Sequence, residues 1–162
     1  MNDIKYLTLY IAEEVFALEV LRIKEIIPNS DITHIPLMQP FIKGVMNIRG
    51  DVVPILDLAK RVSLDVDISM HRQSIIIVSI NFNEVETNIG IIVSMVNKVF
   101  EQKPEELESS PTFGSNIKKD FIKQIARVDN EFIPILDLDK ILDLDELSLT
   151  LQDMETDNET EK

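Results

Sequence analysis

Laid over itself with a shift of 80 residues, the chain repeats: Phe41–Val62 falls on Phe121–Leu142 without a gap. Phe-Ile-Lys recurs at 41–43 and 121–123, Pro-Ile-Leu-Asp-Leu at 54–58 and 134–138, and Lys60 matches Lys140. Other pairs keep their apolar character: Val45/Ile125, Ile48/Val128, Val52/Phe132 and Val53/Ile133. A shift of 73 also lays Phe16–Ile27 over Ile89–Phe100, more weakly. A repeat of this length constrains the fold strongly, because each copy must be able to take the same local structure. The expectation is two related halves, about 6–63 and 74–142.

Each half reads as β-structure. Tyr6–Tyr10 is aromatic and β-branched, Val15–Val20 partly alternates, and Ser74–Ile80 is a short apolar run suited to a buried strand. Glu13-Glu14 and Asn81–Glu84 are expected turns. In the repeated block Gly44–Arg49 reads as a strand, Gly50-Asp51 as a tight turn and Val52–Leu56 as the returning strand; Asp129-Asn130 takes the turn in the second copy. Pro54 and Pro134 cannot donate to a ladder, which places each at an edge or strand end. The Leu-Asp-Leu segments lead into short helices, the last from Asp137 to about Leu147. Halves this short suggest small closed barrels rather than one large sandwich, since closure removes free edges.

Charge is unevenly placed. The net charge of −13 includes eight acids and one base in residues 143–162, or −7, which leaves −6 on residues 1–142. An acid-rich stretch with almost no apolar residues cannot offset its ordering entropy, so 150–162 is expected to be a disordered acidic tail. It is either a solvated end or a docking tail for a basic partner. The acidity argues against nucleic acid as a partner. The start, MNDIKYLTLY, lacks the basic and apolar regions of a signal peptide, and no run approaches the ~20 apolar residues of a membrane span. A cytoplasmic chain without membrane insertion is expected.

The residues assemble no catalytic centre. With no Cys, two His and four Gly, thiolate chemistry is excluded and a Gly-rich phosphate loop is unexpected. His34 and His71 lack partners at ligand spacing, and Gly114-Ser115 is not part of a nucleophile elbow. No cofactor is expected. Matched Asp57 and Asp137 raise the idea of an aspartyl dyad, but each is followed by Leu where that chemistry needs a glycine-bearing turn. The other reading makes each Asp the cap of its following helix. Arg49 is similarly open: an ordinary exposed turn arginine, or a fork held by Glu25 and offered to a partner.

Four blocks resemble the CheW family of chemotaxis coupling proteins: Ile23-Lys24-Glu25-Ile26-Ile27; Ile32-Thr33-x-Ile35-Pro36; Phe41–Gly50; and Val53–Leu58. The specific signal is G-V-x-N-[LI]-R-G-x-x-[VI]-P-[IVL]. In the second half Ile89–Val93, Val96-x-x-Val99 and Ile133–Asp137 also resemble the family. The resemblance covers about residues 4–147. It implies an all-β fold of two SH3-like five-stranded β-barrel subdomains sharing a core, with short helices and a C-terminal helix. It implies no catalytic activity. The implied role is an adaptor between methyl-accepting chemoreceptors and the histidine kinase CheA, associated with membrane receptor arrays. The implied partners are the kinase regulatory domain, the cytoplasmic receptor tip and other CheW copies in rings. By the same resemblance Ile23, Gly44, Asn47 and Arg49 line the receptor groove, and Glu25 is the acid that pairs with the arginine. Gly44 would let a partner helix approach closely.

Three departures fall in the second half: Ser94 where the family often has Asp, Gln124 where it often has Gly, and a longer turn at 81–88. The alternatives are a coupling protein of a related pathway, such as type IV pilus or surface sensing, and a β-rich aspartyl hydrolase. A CheV-like protein would need a receiver domain, for which the 20 residues after 142 are too few.

Overall fold

The computed structural model describes residues 3–36, 39–62, 64, 66, 72–82, 84–109 and 119–143. The expected tail at 150–162, the helix beyond 143, His71 and Ser115 lie outside them. The strands are β1 (Ile4–Ile11), β2 (Glu14–Glu19), β3 (Ile23–Pro28), β4 (Ile42–Ile48), β5 (Asp51–Asp57), β6 (Ser74–Phe82), β7 (Val85–Val93), β8 (Met95–Gln102), β9 (Glu108–Ser109), β10 (Ile122–Val128) and β11 (Glu131–Leu136). Two four-residue helices, α1 (Leu58–Arg61) and α2 (Leu138–Ile141), follow β5 and β11.

Two sheets form, in the orders β3-β6-β7-β5-β4 and β8-β1-β2-β11-β10-β9. The repeated halves do not each make one of them. The hairpin β1–β2 joins the second half's β8 and β11, while β6–β7 joins the first half's β3 and β5. The two halves therefore exchange their leading hairpins. Both exchanges use the same connections: antiparallel on one side (β1 with β8, β6 with β3) and parallel on the other (β2 with β11, β7 with β5). One consequence is a core common to both sheets, in which Leu9, Ile11 and Leu18 pack in one cluster with Ile55, Ile75, Ile76 and Ile91.

Each sheet is drawn toward closure by the segment between its strands. Thr33, which follows β3, exchanges two backbone hydrogen bonds with Val45 of β4 at 2.8 and 2.9 Å. In the other sheet β9 follows β8 and pairs Glu108 with Ile125 of β10. Val45 and Ile125 are repeat mates, so β9 is the fuller counterpart of the Thr33 bridge. The second sheet thereby has five long strands and one short one.

Several expected boundaries shift. The β4–β5 turn is Arg49-Gly50, one residue earlier than expected, and both have positive φ (52° and 87°). Asp129 and Asn130 match them at 51° and 64°. This is the left-handed geometry that two-residue hairpins need to follow strand twist. The first hairpin turns at Ala12-Glu13, with Glu14 already in β2. The expected long turn at 81–88 is instead mostly strand, paired from Phe82↔Val85 through Ser79↔Asn88. The helix from Asp137 stops at Ile141, where Leu142 leaves helical backbone at ψ 46°.

Pro54 and Pro134 sit inside β5 and β11 rather than at an edge or end. Each faces a residue, Val45 or Ile125, that lies opposite it across the hairpin. Val45 turns its own N–H and C=O away, to Thr33. The parallel neighbours start only at Ile55 and Ile135, one residue later. The missing proline N–H therefore falls where no ladder partner waits.

Candidate functional site

The edge strand β3 alternates half-buried and exposed residues. Glu25 and Ile27 lie opposite Ile77 and Ile75 of β6 and share one face, while a bulge between Ile23 and Glu25 sets Ile23, opposite Val78, outside that alternation. A carboxylate on that face is one-quarter exposed and needs a cation. Arg49 supplies it from the β4–β5 turn, although β3 and β4 are the two outer strands of their sheet. Its Nη1 donates to Glu25 Oε1 at 2.9 Å and its Nη2 to Oε2 at 2.8 Å. This fork-to-fork geometry fixes the guanidinium plane. The hydrogen bonds first, and then the carboxylate's charge, hold Arg49 above its ordinary pKa. The Arg49 side chain remains 77% exposed. It is thus both fixed and presented.

The left-handed turn that aims Arg49 has its own support. Asn47 Oδ1 accepts the Gly50 N–H at 3.0 Å, the local bond for which Asn is favoured near turns. Ile23, on the other side of the β3 bulge from Glu25, packs partly on the core. A cavity of about 320 Å³ opens beside the pair, lined in part by Ile48, Val53, Ile77 and Asn88.

Gly44 is needed for a different reason from the one the sequence suggests. It is buried, and its φ of +153° disfavours any L side chain. The place of its Cβ is taken by the Thr33 carbonyl of the same chain, not left open for a partner. Gly44 sits at a bulge in β4, and Gln124 at the matching bulge in β10. Gln124 lacks the positive φ and pairs with Ser109 of β9, so a side chain is tolerated there.

A second polar group was not legible in the sequence. Lys24, the extra residue of the bulge beside Glu25, reaches Glu86 of β7 at 2.7 Å. Ser79 of β6 donates to the same Oε1 at 2.8 Å. These bonds, Lys24 foremost, hold Glu86 below the ordinary carboxylate pKa. The sequence carries no sign of it, because a bulge in β3 between Ile23 and Glu25 interrupts the alternation that would assign neighbours 24 and 25 to faces.

The matched aspartates are helix caps. Asp57 Oδ1 accepts the Lys60 N–H and Asp137 Oδ1 the Lys140 N–H, both at 3.3 Å. Their own N–H groups donate to the repeat mates Phe41 and Phe121. Ser94 is buried, and its Oγ accepts the N–H of Ala12, a turn residue with φ 56°. A carboxylate could accept the same bond, so this departure preserves the local contact. His34 lies exposed between β3 and β4.

The model for the CheW-like domain matches residues 5–146. The chain belongs to the CheW-like domain family. It is 33% identical over 132 residues to the chemotaxis protein CheW of Bacillus subtilis, covering 79% of this chain and 80% of that one. It is 24% identical over 149 residues to the chemotaxis protein CheW of Treponema pallidum, covering 91% and 88%. Among solved structures, the scaffolding protein TtCheW from Thermoanaerobacter tengcongensis superimposes with a TM-score of 0.77 at 28% identity, covering 88% of this chain and 90% of that one. The all-β fold expected for a CheW-like domain is the one observed. Such domains belong to chemotaxis coupling and scaffolding proteins. No helix among the described residues is long and apolar enough to cross a membrane.

Proposed function

We propose that this CheW-like domain, residues 4–147 followed by an acidic tail at 150–162, is a non-enzymatic adaptor. It couples the cytoplasmic tip of methyl-accepting chemoreceptors to the regulatory domain of the histidine kinase CheA, in the cytoplasm at membrane receptor arrays. Other copies of the chain share the assembly in rings. The observation that carries this reading is the Arg49–Glu25 fork, which fixes an exposed arginine on a turn that Asn47 supports. A fixed fork suits the backbone or carboxylate of an incoming helical hairpin, and Ile23 offers apolar area to it. Gly44 contributes indirectly, by letting Thr33 bond to Val45 and close the sheet that carries the Arg49 turn.

An adaptor transmits a change of state only if it binds the two states of its partners differently. The capping bonds of Asp57 and Asp137 give both residues a structural role, which favours the adaptor over an aspartyl hydrolase. Calorimetric titration of the chain with a receptor cytoplasmic fragment tests the assignment. Saturable binding that is weakened by Arg49→Glu supports it, and affinity unchanged by that substitution removes Arg49 from the site.

A further inference from the structure

Arg61 lies in α1 and is buried, with 9% of its surface exposed. Its guanidinium carbon sits 5.0 Å from the ring centre of Phe41 and 4.9 Å from that of Phe121. These rings are repeat mates, and each belongs to the residue whose carbonyl accepts a helix-capping aspartate's N–H. Arg61 Nε donates to the carbonyl of Ile141 at 2.6 Å, and Nη2 to that of Lys140 at 3.3 Å. Ile141 is Arg61's own repeat mate. At this pair the duplication is broken in a buried position: a cation in α1 stands where α2 has a fully buried isoleucine, and it satisfies the helix end there.

The position of this contact gives it a role that the apolar core cannot have. α1 continues β5 of one sheet, and α2 continues β11 of the other. The core between the sheets is extensive, but apolar attraction has no direction, and packed layers can shear by about 1–2 Å. Forked hydrogen bonds have direction, and a cation clamped between two rings tolerates little displacement. We propose that Arg61 is a positioning residue that sets the orientation of the two barrels relative to each other. The core holds them together, and Arg61 fixes how they sit. This role belongs to the free chain and does not depend on receptor binding.

The chain has no Cys, so introduced thiols carry spin labels without competition. One labelled pair, Val85→Cys with Glu131→Cys, spans the two sheets. A second, Val85→Cys with Lys43→Cys, lies within one. Distance distributions by electron spin resonance are compared in the parent, Arg61→Met and Arg61→Lys. Methionine fills the slot between the rings without donating. We expect the between-sheet distance to shift or broaden by about 1–2 Å in Arg61→Met while the within-sheet distance stays unchanged. Lysine keeps a cation between the rings but not the fork, and is expected to restore part of the parent distribution. An unchanged between-sheet distance in Arg61→Met overturns the proposal. So does a broadening of both distances together, which would make Arg61 a general stabiliser.

Discussion

The carbonyl oxygen of Thr33 occupies the place where residue 44 would carry a Cβ. The glycine in the chain's most distinctive motif is thus the condition for closing the first sheet. Thr33 and Val45 can exchange their two hydrogen bonds only because nothing projects from Gly44.

Gly44→Ala is therefore expected to destabilise the fold by at least about 2 kcal/mol, from backbone strain and the displaced bridge together. Gly50→Ala is the comparison, since nothing lies within 4 Å of its Cβ position and only its φ of +87° is unfavourable. It is expected to cost about 1 kcal/mol. Urea unfolding of both variants checks the order. Equal losses would mean that the Thr33 contact is not what requires glycine at 44.

The two caps are expected to act alike. Asp57→Ala and Asp137→Ala should each cost about 0.5–2 kcal/mol, and the asparagine variants should retain most of the stability. Thermal unfolding followed by circular dichroism measures this. Asp57→Asn abolishing a hydrolytic activity of the parent chain, with the fold intact, would restore the aspartyl dyad.

Glu86 gives a pH dependence of known sign. Its carboxyl pKa is depressed in the folded chain by Lys24 and then Ser79, relative to an ordinary value of 4.5. Its contribution to stability is present above that ordinary value and is lost as pH falls through the depressed one. Carbon-13 titration of the Glu86 carboxyl should show a midpoint below 4.5. Lys24→Met should raise it more than Ser79→Ala does. A midpoint insensitive to Lys24→Met would contradict the assignment of cause.

Arg49→Glu places an acid against Glu25 where a cation stood. The side chain is mostly exposed, so the far-ultraviolet circular dichroism should remain that of the parent. Affinity for a receptor cytoplasmic fragment should fall at least about tenfold, the scale of losing a fixed charge at a contact. Arg49→Lys should fall between, because an ammonium cannot bind Glu25 through two parallel bonds.

Much of the architecture was legible because it is local. The hairpins follow from turn residues and apolar periodicity, and the caps from Asp57 and Asp137 preceding short helices. The exchange of hairpins was not legible. The repeat shows that β1–β2 and β6–β7 are equivalent, but equivalence does not say which sheet each joins. The pairing of Glu25 with Arg49 was reached through the family resemblance, since strands at opposite outer positions of a sheet give no sequence sign that they meet. Arg61 was missed because a charged residue in a short helix ordinarily faces water. The one hint was that its repeat mate is Ile141. Gly44 was identified for the wrong cause: the sequence shows that a close approach is needed, not what approaches.

The proposed role is to join receptor state to kinase activity. The most direct test is reconstitution of the cognate CheA kinase with a receptor cytoplasmic fragment, measuring autophosphorylation with and without this chain. The parent chain is expected to form a ternary complex and stimulate the kinase, and Arg49→Glu to do neither at matched concentration. Kinase activity that is the same with and without the parent chain, and no ternary complex, would contradict it.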